Sequence, residues 1–164
     1  MIALAEEAQS EETWAFDALS RFVVGCVEAG LDPLVAVEAG RADGVGAAVE
    51  GGRTGSAAAG GGRAGSAVGA SEDGAAGGRL VKVLEEIVRA GHDEGALRAD
   101  VGAGDVVGVV GLVVRGLPTV PAGVGEELRE RAARLVLAGM RSHPAPAPPG
   151  AALTVEALAR RVSG

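Results

Sequence analysis

Two histidines, a single cysteine and the paired carboxylates Glu85/Glu86 and Glu126/Glu127 are the residues from which a reaction or a metal site could be built in this chain of 164 residues. A zinc or iron site needs His and carboxylates gathered on one face, and the run His92, Asp93, Glu94 is consecutive, so its side chains diverge. His92 and His143 both fall at or just beyond a predicted helix end, where stabilising the helix is an ordinary role. The lone Cys26 excludes an internal disulfide and a cysteine-based metal cage, and its apolar neighbours point to core packing. Acid–base pairing of the glutamates would need them turned inward, but each pair lies on the polar side of its helix. No GxSxG, no HExxH and no glycine-rich loop followed by Lys and Ser or Thr occurs. No catalytic residue, metal or cofactor is therefore expected, and the chain is not read as an enzyme.

The aromatic residues are Trp14, Phe16 and Phe22, all on one predicted helix. They read as anchors of that helix in the core, and the sharper alternative is contact with a small apolar effector. A formal charge of −7 argues against nucleic-acid binding by this chain, since neutralising phosphates requires a concentrated basic surface. Arg129, Arg131 and Arg134 are the densest basic group, yet they interleave with Glu126, Glu127 and Glu130. The pairs Glu127–Arg131 and Glu130–Arg134 have the four-residue spacing of a solvated helix face. Met1 leads into an acidic stretch rather than a basic region and an apolar run, so no secretory signal is expected. The strongest apolar run, Val106 to Val114, is far shorter than the roughly 20 residues that span a bilayer. A cytoplasmic protein without membrane contact is the expectation.

These residues must be held by helices. Ile2 to Gln9 reads as a short helical remnant. From Thr13, a candidate N-cap, Phe16, Leu19, Phe22, Val23, Cys26 and Val27 recur at three- and four-residue steps and predict a helix stopping near Gly30. Leu34 to Ala39 allows one or two weak turns. Between 42 and 78 the chain becomes rich in Gly, Ala and Ser, and GGRTGSAAAG at Gly51 to Gly60 is nearly duplicated by GGRAGSAVGA at Gly61 to Ala70. This is expected to be a long, flexible, low-complexity insert. From Arg79, the stripe Leu80, Val83, Leu84, Ile87 and Val88 predicts the clearest amphipathic helix.

Asp100 to Pro118 is apolar on all sides and is expected to be buried on all sides. Its valines also suit a strand, but Gly108 and Gly111 weaken that alternative and no partner strand is evident. After a Pro118–Pro121 turn, Leu128, Ala132, Leu135, Val136 and Gly139 line one face of a last long helix, with Arg141 and His143 complementing its C-terminal end. The prolines from 144 to 149 mark a tail running to 164, with a final helical turn from Thr154 to Arg161 capped by Thr154.

The succession ETWAFDALSRFVVGCVEAG, then LVKVLEEIVRAGHDEGALRADVGAGDVVGVVGLVVRGLP, then ELRERAARLVLAGMRSHPAPAPPG resembles the C-terminal domain of TetR-type transcriptional regulators, in particular the SbtR-like subgroup. GALRADVGAGDVV at Gly95 to Val107 is its most specific part. There Gly95 permits a left-handed helix stop, Leu97 and Val101 tie the linker to the core, and Asp105 supports the next helix start. The resemblance implies an all-α, antiparallel helical bundle over 1–143, interrupted by the insert, with a cavity for a small hydrophobic effector. Trp14, Phe16, Leu19, Val23, Leu84, Ile87, Val88, Val109 and Val113 are the candidate cavity residues. It also implies a dimer through the last two long helices, with Val107, Gly111, Val114, Leu128, Ala132, Leu135, Val136 and Gly139 at the interface. The helix-turn-helix of that family would precede Met1, so the expected function is sensing and dimerisation in a truncated regulator or one with a misassigned start. Its partner would be a second copy or a full-length regulator. A small helical dimer with no effector is the alternative.

Overall fold

The structure, a computed structural model, describes residues 1–40, 65–119, 124–143 and 154–157, the side chains of 65–73, 126 and 127 aside. The fold is all-α, and no strand occurs among the described residues. Helix α1 spans Ile2–Glu11, α2 Ala15–Ala29, α3 33–40, α4 Gly65–Asp93, α5 Ala103–Gly116 and α6 Val124–Met140, with a 3-10 turn at Leu117–Thr119 after α5.

Helix α2 is the hub, packing against α1, α4, α5 and α6. The reason is its apolar periodicity: Phe16, Leu19, Phe22, Val23, Cys26 and Val27 are all buried. They meet Leu80, Val83, Leu84, Ile87 and Val88 of α4, Val106, Val107 and Val110 of α5, and Ala133, Leu137 and Met140 of α6 in one core. Fully burying side chains of this size contributes roughly 1.5–3 kcal/mol each before the entropy cost is set against it. The helix terminates at Gly30 (φ 64°), where Leu31 N–H donates to the Cys26 carbonyl at 2.8 Å.

Three expectations change. Helix α4 begins at Gly65, well before Arg79, so the C-terminal part of the expected insert is helical. Its glycines explain this: the backbones of α3 and α4 cross in contact, and a Cβ on Gly77 would lie 2.1 Å from the Ala36 carbonyl oxygen. Tertiary packing thus sustains a helix that propensity alone would not. The rest of the insert, 42–64, lies outside the described residues, as do 120–123 and most of the tail.

Helix α5 is not buried all round. Val106, Val107 and Val110 face inward, whereas Leu112 is 71% exposed. The N-cap of α2 is Trp14, not Thr13, and no side chain of the capping residue makes the bond. The Glu94 carboxylate accepts the Ala15 N–H instead, at 3.0 and 3.1 Å. Within the tail, Thr154 Oγ1 does accept the Ala157 N–H at 3.2 Å, and Val155 is buried in the common core.

Candidate functional site

The joint between α4 and α5 is built as its sequence predicts. Gly95 takes the left-handed conformation (φ 66°), which costs an ordinary residue about 1 kcal/mol or more. The chain can then turn so that the Ala96 and Leu97 N–H groups both donate to the Gly91 carbonyl at 3.0 Å. Leu97 and Val101 are buried. Asp105 accepts the Gly102 N–H at 2.8 Å, opening α5. His92 Nε2 lies 3.0 Å from the carbonyls of both Arg98 and Val101. A ring N–H at Nε2 closes the loop by donating to them. Arg98 grips Asp100 with two 2.8 Å bonds, and that hydrogen bonding holds the Asp100 carboxyl below the usual range.

The same joint receives the end of α6. Leu97 and Arg141 form an isolated antiparallel bridge, with Arg98 N–H donating to Met140 at 3.0 Å and Ser142 N–H to Ala96 at 2.9 Å. Arg141 is thereby placed over Phe16, its guanidinium carbon 4.3 Å from the ring centroid, rather than serving only the end of its own helix. Beside this pair a cleft of about 450 Å³ opens between α2 and α6. A second, narrower cleft of about 150 Å³ lies where Val37, Gly77, Val81 and Val155 meet. Glu85, near that end of α4, is exposed, and partial burial together with the charge of Glu156 raises its pKa.

The candidate effector residues separate into three groups. Leu19, Val23, Leu84, Ile87 and Val88 are buried and packed together in the core. Phe16 is also buried but borders the α2–α6 cleft. Trp14 does not join them: at 62% exposed it points away from the core, because the N-cap position precedes the inward stripe of α2. Val109 and Val113 are half-buried and pack at the edge of the core.

The dimer candidates separate as well. Val107 is fully buried within the chain, and Gly111 is covered by Leu34 and Asp32, so neither is available to a second subunit. Val114, Ala132 and Val136 are half-buried, while Leu128, Leu135 and Gly139 are exposed. Helix α6 therefore carries two apolar faces: Ala133, Leu137 and Met140 turned inward, and the Leu128/Leu135 stripe turned outward. The Glu130–Arg134 pair forms as expected on the solvated side.

Sequence reasoning missed the arginines of the α2–α6 cleft and the capping role of Glu94. No local spacing connects Arg141 to Phe16 or Glu94 to Ala15; only helix packing does. Among the described residues, no group of three or more His, Cys, Asp and Glu is placed to hold a metal ion, and no helix is long and apolar enough to cross a membrane. Neither a scan against protein-family models nor a sequence search of curated proteins finds a match for the chain.

Proposed function

We propose that this chain is the effector-sensing and dimerisation part of a TetR-type transcriptional regulator, with the outer faces of α5 and α6 as the subunit interface. One observation carries the reading. Of the six exposed large apolar residues among the described residues, four lie on α5 and α6: Leu112, and Leu135, Val124 and Leu128, which are 62%, 46% and 39% exposed; Trp14 and Val35 lie elsewhere. Four such side chains on two helices in contact suggest a surface that is covered in use. A second copy is a fitting cover, because a two-fold interface sets each patch against itself. The phrase from Gly95 to Val107, with its left-handed stop and its Asp105 helix start, supports the family assignment. A small hydrophobic effector belongs to the proposal, and DNA recognition is not assigned to these residues.

The close packing of Leu19, Val23, Leu84, Ile87 and Val88 favours a second reading, a helical dimer that binds no effector. Sedimentation velocity tests what the two readings share: a dimer at micromolar concentration is expected, and Leu112→Glu with Leu135→Glu should return a folded monomer. A wild-type monomer at high micromolar concentration would overturn both. Thermal shifts against a panel of hydrophobic metabolites separate them, since a ligand that binds only the folded state raises the melting temperature. No shift across a broad panel leaves the interaction module standing.

A further inference from the structure

Three arginines line one cleft in a protein whose formal charge is −7. Arg21 comes from α2, Arg134 from α6 and Arg141 from the residue that follows α6. Their electrostatic states differ. Arg21 is neutralised by Glu7, Glu11 and Glu12, with N–O distances of 2.8, 2.7 and 3.4 Å. Arg134 pairs with Glu130, four residues back, in a bridge whose two side chains are both more than half exposed. Such a surface pair is worth little and exchanges readily. Arg141 makes no ion pair among the described residues, and its charge rests on the face of Phe16.

Cation–π attraction holds that guanidinium in place without using up a carboxylate partner. The backbone beneath it is fixed by the Leu97 bridge and by the flanking bonds to Ala96 and Arg98. Little ordering therefore remains to be done when an anion arrives. Phe16, Val24 and Leu137 line the same cleft and give it an apolar floor. The volume, about 450 Å³, suits a small organic molecule rather than a macromolecular segment.

We infer that this cleft binds an amphipathic organic anion, its acid group held by Arg141 and Arg134 and its apolar body lying on Phe16, Val24 and Leu137. The planar fork of arginine matches a carboxylate or sulfonate. An inorganic anion would leave the apolar floor wet, and a neutral apolar molecule would leave Arg141 without a counter-charge. The inference does not depend on the regulator reading, since the cleft opens at the surface between α2 and α6 and its ligand is defined by charge.

The dye 8-anilinonaphthalene-1-sulfonate serves as the probe for the full chain, with uncharged N-phenyl-1-naphthylamine as its comparison. Saturable fluorescence enhancement at one site per chain is expected, displaced by octanoate but not by octanol or inorganic phosphate. Arg141→Gln should weaken dye binding at least tenfold, Arg134→Gln by less, and Arg141→Lys should retain most of it. Circular dichroism melts establish that each variant folds, and Arg134→Gln and the octanoate competition carry the test should Arg141→Gln not fold. The monomerising Leu112→Glu, Leu135→Glu variant should bind as the wild type does. Dye binding that survives Arg141→Gln and Arg134→Gln together, equal displacement by octanol, or loss of binding in the Leu112/Leu135 variant would overturn the assignment.

Discussion

Cys26 is fully buried in the middle of α2, and desolvation pushes its thiol up to about 12. Because the thiolate is the reactive form, this residue packs as a small apolar group with its thiol held in the unreactive form. Ellman's reagent at pH 8 should leave the native protein unlabelled for hours and label it promptly in strong denaturant. Rapid labelling of the native form would mean that α2 opens far more readily than its packing implies. Glu94 acts in the opposite way, as a charge whose position matters. Its carboxylate sits on the first N–H of α2, where the helix dipole is positive. Glu94→Ala should lower stability by about 1 kcal/mol, and Glu94→Gln by less, measured by urea denaturation. An unchanged midpoint for Glu94→Ala would remove this long-range cap.

At the scale of elements, the α3–α4 crossing gives a sharp test because two neighbouring glycines should respond with opposite sign. A Cβ at Gly77 would meet the α3 backbone, whereas one at Gly78 meets nothing within 4 Å. Gly77→Ala should cost about 1–3 kcal/mol through overpacking against atoms that cannot rotate away. Gly78→Ala should add about 0.8–1 kcal/mol, the helix-propensity gain at an open site. Equal effects of the two changes would show that α3 does not lie where the structure has it. The joint at Gly95 is the other decisive element, since its left-handed turn lets Leu97 return to the core. Leu97→Ala should cost about 2–5 kcal/mol, read from the same denaturation curves, because it vacates the point where α4, α5 and the end of α6 meet.

For the whole molecule, a dimer built on α5 and α6 makes stability depend on concentration. The melting temperature should rise with protein concentration over the micromolar range, and the dependence should vanish in the Leu112→Glu, Leu135→Glu variant. A melting temperature independent of concentration in the wild type would count against the proposed interface. Much of the architecture was legible in the chain itself: the stripes of α2 and α4, the stop at Gly30, the turn at Gly95 and the Asp105 start of α5 are local, set by spacing and backbone preference. The core packing of Cys26 was legible too, from its place in the apolar stripe of α2. Which face of a helix points inward was not, wherever the helix is apolar on more than one side. In α5 and α6 the periodicity fits burial of Leu112 or Val107, and of Leu135 or Leu137, and packing against the other helices, α2 foremost, selects Val107 and Leu137. Trp14 shows the same limit from the other direction, since its size argues for the core while its place one residue ahead of α2 turns it outward. The meeting of Arg141 with Phe16, of Glu94 with Ala15 and of Gly77 with Ala36 was decided by tertiary structure alone. A chain encodes which residues can bury, but what each one touches depends on how separate helices pack, and local spacing carries no record of that.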